Sequence, residues 1–284
     1  MLSIELDIYS MRPNPEWKLT EREEHDLVER IVAHPSLIQP IDADTGGLGY
    51  RGYIVRAITE DNSAWQKANL PAQFRLAGVN AINTDAARWL LDTSDKADAA
   101  MDDDLRDYAA GAGGTSEADA QGEASPEEDV AAPATCQILR ASSTDFSFWN
   151  LSSMILLNNS YNFAANNRTG TYAQPGRRSG RMYRNLNPGE IIEAAQRDGL
   201  YIGGCPIGRP VVKAALVYSF GRGFNDYHWY RLCFSDRWCH KPGRGPARNT
   251  DNSGRLITNI YQANHGTYTT ISHFFHGYNP VSVS

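Results

Sequence analysis

A stretch rich in acidic residues, glycine and alanine divides the chain and limits how it can fold. Residues 95–129 hold twelve Asp and Glu residues against two basic residues, a net charge of −10 in a chain whose total is −6. Such a composition cannot bury enough apolar surface to offset the entropy lost on ordering. We therefore predict a flexible acidic linker over residues 96–135, between separate folded domains at 1–95 and 136–284.

The residues before the linker have the patterns of a small α/β domain. Apolar and polar residues alternate over residues 2–9, which predicts a half-buried strand. Thr20 and Glu23 form a capping box that begins a helix running to about Ala33. Further elements are predicted as strands at 53–58 and 74–77 and a helix at 84–93. This part of the chain is predicted to be a scaffold or docking module.

The residues after the linker predict an α+β domain. A helix is expected to begin near Ser160, and a second helix opens at Pro188 and ends before Gly199. An antiparallel meander follows, with strands predicted at Val212–Phe220, Asp226–Phe234 and Trp238–Lys241. The tail, residues 249–284, is rich in Asn, Gly, Thr and Tyr and is predicted to form loops over this sheet.

Three residues of this domain form a candidate catalytic site. Ser160 falls at a predicted helix N-terminus, where the dipole and free N–H groups favour an anion. His228 lies on the second strand of the predicted meander, where it can act as a base. His240 lies on the third strand, where it can orient His228. Asn158 and Gln174 are the candidate oxyanion donors. Ser160 also has a structural interpretation as a helix cap, and His228 and His240 have one as structural strand residues; the sequence alone does not place Asn158 or Gln174.

The sequence resembles a family of uncharacterised proteins through several runs. They are Arg12–Trp17 (RPNPEW), Asn158–Ala164 (NNSYNFA), Tyr172–Arg177 (YAQPGR), Asp226–Arg231 (DYHWYR), Cys239–Gly243 (CHKPG) and Asp251–Gly254 (DNSG). The second domain also resembles papain-like thiol peptidases of the NlpC and CHAP type, in which a second His often orients the first. In the uncharacterised relatives the position of Ser160 is a cysteine. A hydroxyl needs far more help from a base than a thiol does.

This resemblance implies an amide or ester hydrolase acting on a peptide or protein. Because serine replaces the expected cysteine, two explanations of Ser160 stay open: natural loss of activity, or an engineered Cys-to-Ser trap. The alternative function is a non-catalytic binding or toxin-associated interaction module. Whether the chain is an enzyme is left undecided, and its oligomeric state cannot be derived from the sequence.

We expect no cofactor, metal, membrane or nucleic-acid partner. The histidines His265, His273 and His276 have a weak spacing for metal ligands with no acid nearby. An arginine-rich run over residues 168–184 is more typical of a solvated rim, or of a partner for the acidic linker, than of a nucleic-acid site. No signal peptide or apolar span is evident, which predicts a cytoplasmic protein or one exported by a signal-independent route.

The cysteines all follow the linker, at Cys136, Cys205, Cys233 and Cys239. Four cysteines allow two disulfides, but the chain is large enough not to need them, and without a secretion signal free thiols are favoured. Cys233 and Cys239 fall on strands that are predicted to pair, which allows a contact between them. Metal ligation is the weakest option, because their spacing is not a familiar one for zinc.

Overall fold

The computed structural model shows a mixed α and β fold with two antiparallel sheets. It describes residues 1–43, 47–58, 63–76, 85–97, 101, 103–110, 136–139, 145–220 and 224–284. Most of the predicted linker lies outside these residues, so its flexibility stays a prediction. Among the described residues, no helix is long and apolar enough to cross a bilayer.

The first sheet has five antiparallel strands in the spatial order β2-β1-β4-β5-β3. They are β1 (Leu2–Leu6), β2 (Glu16–Lys18), β3 (Ile38–Gln39), β4 (Tyr53–Ala57) and β5 (Gln73–Leu76). The three strands predicted from the sequence are therefore present. The short strands β2 and β3 were not predicted, because two or three residues carry no readable alternation.

The polar side of β1 departs from the prediction. Ser3 and Glu5 are buried along with the apolar residues, and so is Asp7 just beyond the strand. The strand is thus buried on both faces rather than half-buried. Burial is tolerated because these polar groups have partners: Ser3 bonds Glu16, Glu5 pairs with Arg244, and Asp7 lies between two arginines.

Helices cover the first sheet. They are α1 (Glu21–Ala33), α2 (Ala64–Lys67), α3 (Asp85–Asp92) and α4 (Asp103–Ala109), with single 3-10 turns at Pro35–Leu37 and Thr93–Lys96. The predicted capping box is present: the Glu23 N–H donates to Thr20 Oγ1, and the Thr20 N–H donates to Glu23 Oε2. Leu27, Val28 and Ile31 are buried on the inner face of α1.

The second sheet is also antiparallel and has the spatial order β6-β10-β7-β8-β9. Its strands are β6 (Leu200–Ile202), β7 (Val211–Ser219), β8 (Asp226–Leu232), β9 (Trp238–His240) and β10 (Thr270–Tyr278). The predicted meander is confirmed as β7-β8-β9. The prediction of loops for residues 249–284 was wrong in part, because β10 pairs along the full length of β7 and separates it from β6.

Three helices accompany this sheet. They are α5 (Asp145–Trp149), α6 (Ser160–Ala164) and α7 (Pro188–Arg197). Helix α6 lies against β8: the rings of Tyr161 and Trp229 have centroids 5.2 Å apart, and the Arg231 guanidinium lies over Phe163. The predicted positions of α6 and α7 are confirmed.

All four cysteines are paired in disulfides, contrary to the prediction of free thiols. Cys136 joins Cys205 and Cys233 joins Cys239, with Cα separations of 5.8 and 5.9 Å. Both separations fall in the range that a disulfide spans. The second pair follows from the predicted hairpin. The first joins residues 69 apart in sequence, which local patterns could not reveal.

The two sheets contribute to one buried apolar cluster. It contains Leu6 and Tyr9 from the first part of the chain and Ala215, Tyr230 and Ile257 from the second. Polar bonds join the same parts: Arg75 Nη2 donates to the Arg244 carbonyl at 3.0 Å, and Arg244 Nε donates to Glu5 at 2.6 Å. The domain boundaries at 95 and 136 stay predictions about the chain's organisation.

Asp7→Asn should lower the free energy of unfolding by about 3–5 kcal/mol, because it leaves Arg51 and Arg75 buried without their counter-charge. Burial alone would raise the pKa of Asp7, but the two guanidinium groups outweigh it and hold the pKa well below its usual value. The stabilisation is therefore complete above the unfolded pKa near 3.8 and is lost as the pH falls below it. Urea unfolding at pH 7 and pH 3 measures both effects.

The matched control is Glu29→Gln on the exposed face of α1, which should change the free energy of unfolding by less than about 0.5 kcal/mol. A loss of under 1 kcal/mol for Asp7→Asn at pH 7 would contradict the stabilising role given to Asp7 between its two arginines.

Candidate functional site

Two of the predicted site residues, His228 and His240, form a buried pair. Tyr230 faces His240 in the register of β8 and β9, and His228 lies on the same side of β8 two residues earlier. His228 Nε2 lies 2.9 Å from His240 Nδ1, and His240 Nε2 lies 2.9 Å from the carbonyl oxygen of Thr250. Both imidazoles are fully buried.

These contacts assign the protons. The Thr250 carbonyl only accepts, so His240 Nε2 carries the hydrogen and Nδ1 of the neutral ring accepts. His228 Nε2 therefore donates to His240, which leaves the lone pair of His228 on Nδ1. That atom has no hydrogen-bond partner among the described residues. The result is the tautomer that a general base oriented by a second residue requires.

Burial keeps both rings neutral. It lowers the pKa of His228 well below the usual value of 6.5, and the neighbouring His240 lowers it further. Burial also lowers the pKa of His240 to about 3, against the opposing effect of the bond to Thr250. The rings of Tyr230 and Tyr268 pack against His228, so the pair is enclosed by aromatic residues.

Ser160 belongs to the opposite face of β8. Its helix, α6, packs on the side that Trp229 presents, whereas His228 and Tyr230 project to the other side because successive strand residues alternate. The Ser160 hydroxyl reaches the backbone between the two faces and accepts the Trp229 N–H at 3.2 Å. The structure thus bonds Ser160 to the backbone of the residue that follows His228, but the side chains of Ser160 and His228 form no hydrogen bond with each other.

The second partner of Ser160 is a methionine. The hydroxyl donates to Met11 Sδ at 3.0 Å, and both residues are fully buried. The N–H groups of the next two residues of α6, Tyr161 and Asn162, donate to the side chain of the capping residue Asn159. The start of this helix is therefore occupied by contacts within the protein.

Met11 belongs to a segment, Ser10–Arg12, that is bound at several points. The buried carboxylate of Asp226 accepts the N–H groups of all three residues, at 2.6, 3.4 and 3.3 Å. Gln174 Nε2 donates to the Met11 carbonyl at 2.7 Å, and Tyr172 donates to the carbonyl of Ser10. We call Ser10–Arg12 the plug segment.

The two predicted oxyanion donors have different positions. Gln174 lies at the site, but its amide is bonded to the plug segment, and its carbonyl accepts from Tyr183 and Tyr227. Asn158 instead donates to the Met154 carbonyl and accepts the Gly170 N–H, so it holds a loop. Its contacts within the described residues place it in a structural role.

The three histidines weighed as metal ligands, His265, His273 and His276, each have a hydrogen-bond partner within the protein. His265 bonds the Tyr230 hydroxyl and the Ile260 carbonyl, and His276 bonds the Gly203 carbonyl. Within the described ranges, a group with metal-ligand geometry occurs on the solvated face of α1, at His25, Asp26 and Glu29. Exposed acidic groups of this kind are common on helices, and we assign it no metal.

Two cavities occur elsewhere on the described surface. One of about 630 Å³ lies between α1 and α2, and another of about 410 Å³ lies beside Tyr183. Neither is lined by Ser160, His228 or His240. The histidine pair has the protonation pattern of a catalytic base, while Ser160 and Gln174 are bonded to the plug segment.

Sequence reasoning missed the plug segment and the residue that binds it. Arg12 belongs to the RPNPEW run, but no motif of the sequence contains Met11. Asp226 opens the DYHWYR run, and a buried acid two residues before a candidate base was a signal available in the sequence. Its pKa is raised by burial.

Comparison with known proteins shows a similarity to a shell protein. The chain is 44% identical over 135 residues to insoluble matrix shell protein 1 of Ruditapes philippinarum. The aligned part is 47% of this chain and 89% of that protein. No family model matches the chain, and no solved structure matches it.

We expect His228 and His240 to stay neutral well below pH 6, each with its hydrogen on Nε2. Because the unfolded chain takes up protons near pH 6.5 and the folded rings do not, their contribution to stability is complete above that pH and falls as the pH drops toward 3. Side-chain nitrogen NMR of the histidines from pH 7 to pH 4.5 measures this. Free imidazole in the same buffer is the control for the protonated signal. An imidazolium signal from either buried ring at pH 6 would contradict the assignment.

Proposed function

This chain belongs to the family of insoluble matrix shell protein 1, and on that premise we propose that it is a non-catalytic structural protein of an insoluble extracellular matrix. Its partners are then other protein components of that matrix. The papain-like resemblance predicted from the sequence would then concern only the arrangement of helix, strands and histidines. Under this proposal that arrangement stabilises the protein and does not turn over a substrate.

The observation that carries the proposal is the closed site. Ser160, His228 and His240 are fully buried, Gln174 is nearly so, and the plug segment bonds Ser160 and Gln174. A hydrolase needs the nucleophile within hydrogen-bond reach of its base and a site for the reacting carbonyl. Here the hydroxyl is bonded to Met11 and Trp229.

The disulfides support the extracellular setting. Bonds of this kind form and persist in oxidising compartments and are rare in the cytosol. Of the two localisations expected from the sequence, export is therefore the one we propose. Cross-linking also suits a matrix component, because a disulfide constrains the unfolded chain and typically stabilises a domain by about 2–4 kcal/mol.

Thiol accessibility tests the closed site. Since the native cysteines are all paired, Ser160→Cys introduces a single free thiol. We expect iodoacetamide to label it at least about 100-fold more slowly than the exposed control Ser179→Cys at pH 6 and pH 8, because labelling requires local opening. In guanidinium without reductant the two rates should converge. Faster labelling of Ser160→Cys than of the control at pH 6 would show an activated nucleophile and overturn the proposal.

The second candidate function is an amide or ester hydrolase. The unpartnered Nδ1 of His228, with its tautomer set by His240 and Thr250, is the observation that favours it. Catalysis would require the plug segment to leave and Ser160 to approach His228.

The double variant Met11→Gly, Ser160→Cys separates the two functions. If the site is structural, its thiol will react as an ordinary thiol, with a rate that rises toward a pKa near 8.5. His228→Gln in the same background is the control and should leave that profile unchanged. A rapid reaction at pH 6 that His228→Gln abolishes would establish the hydrolase instead.

A further inference from the structure

Five arginines, four of them exposed and one partly buried, form a basic surface that the candidate site does not use. Four lie in the loop before α7 and one lies in the last turn of that helix: Arg177, Arg178, Arg181, Arg184 and Arg197. We call this set the arginine surface. Residues 177–197 also contain Glu190 and Glu193, so the segment carries a net charge of +3.

The arginine surface is held in place by bonds to its backbone. Asp198 accepts the Gly176 N–H at 2.7 Å, and Arg197 Nη2 donates to the Arg181 carbonyl at 2.9 Å. Glu190 accepts the N–H groups of Arg184 and Asn185, at 2.7 and 2.8 Å. The loop therefore needs little further ordering when a partner binds, which lowers the entropic cost of binding.

The guanidinium groups of Arg181 and Arg184 are available to a partner. Neither makes a hydrogen bond or ion pair with the described residues. Glu190 does not compete for them, because its oxygens are occupied by N–H groups, and these bonds lower the pKa of Glu190 to about 2. Arg181, Arg184 and Arg197 line the 410 Å³ groove together with Tyr183 and the half-exposed Met182.

The same chain contains a segment of complementary charge. Residues 117–129 hold six carboxylates and no Lys or Arg. Their positions are Glu117, Asp119, Glu123, Glu127, Glu128 and Asp129. Arginine pairs well with carboxylates because its planar fork matches two oxygens.

We propose that the arginine surface binds the acidic segment 117–129 of a second copy of this chain. The two surfaces differ, so the contact is heterologous: in a bound pair, one copy keeps a free acidic segment and the other keeps a free arginine surface. Heterologous contacts of this kind add further copies and give open chains or closed rings. The proposal rests on the matrix function above and gives it a mechanism of self-association, driven by charge and weakened by salt.

Peptide binding tests the recognition. The probe is a fluorescent 13-residue peptide with the sequence of Glu117–Asp129, titrated against the full chain in which those six acids are replaced by Asn and Gln. We expect saturable binding in 20 mM salt, weakened at least about tenfold in 500 mM salt. Arg181→Glu with Arg184→Glu should weaken it by about the same factor. The matched control, Arg209→Glu with Arg255→Glu, places the same charge change outside the groove.

Three results would overturn the recognition. One is equal binding of a peptide whose six acids are replaced by Asn and Gln. Another is equal loss of binding in both double variants, which would indicate an unspecific effect of net charge. The third is binding of a single-stranded oligonucleotide with six phosphates at least about tenfold tighter than the peptide, which would assign the surface to nucleic acid.

Sedimentation velocity of the unmodified chain tests the second copy. We expect the weight-average mass to rise with protein concentration in 20 mM salt, and to stay at the monomer value in 500 mM salt or in the Arg181→Glu, Arg184→Glu variant. A mass that stays monomeric at all concentrations while the peptide binds would place the contact within one chain and overturn the proposal. Labelling of Ser160→Cys is independent of these readouts, so failure of the matrix function and failure of this contact are distinguishable.

Discussion

Asp7 lies fully buried between the guanidinium groups of Arg51 and Arg75, at 2.7 Å from each. Two charged residues beside one carboxylate are costly to remove from water unless every donor is satisfied. The remaining donors are satisfied by backbone: Arg51 donates to the carbonyls of Tyr9 and Gly49, and Arg75 donates to that of Arg244. The buried charge therefore specifies how the first sheet meets the second half of the chain.

The position of the plug segment follows from this network. The bond from Arg51 to the Tyr9 carbonyl fixes the chain one residue before Ser10, and Asp226 accepts the N–H groups that follow. Met11 is thereby directed against Ser160. The buried carboxylate of Asp226 and the side-chain amide of Gln174 both bond this short segment, and these bonds keep it in place. The histidine pair on the other face of β8 then acts as a buried polar contact between β8, β9 and the Thr250 loop.

Much of the fold could be predicted from the sequence. The capping box of α1, the helix at Ser160, Pro188 at the start of α7 and the β7-β8-β9 meander all follow from local patterns, and the structure contains them. The adjacency of His228 and His240 followed from the meander alone. These features share one property, which is that their cause lies within a few residues in sequence.

The features that the sequence did not predict depend on residues that lie far apart in the chain. Strand β10 crosses to pair with β7, the Cys136–Cys205 disulfide spans 69 residues, and the polar side of β1 is buried only because arginines from distant segments neutralise it. The contact of Met11 with Ser160 joins residues 149 apart. No local pattern encodes such pairings, so the sequence placed Ser160, His228 and His240 on the right elements without revealing that Met11 contacts Ser160.

Amide hydrogen exchange of the plug segment tests the closed site most directly. The N–H groups of Ser10 and Met11 are bonded to Asp226, and that of Trp229 is bonded to Ser160. If the segment is a fixed part of the structure, all three amides will exchange at the slow rate of global unfolding. Exchange of Ser10 and Met11 within seconds, while the core amides of β8 stay protected, would show that the segment opens under native conditions and would contradict a structural role for the site.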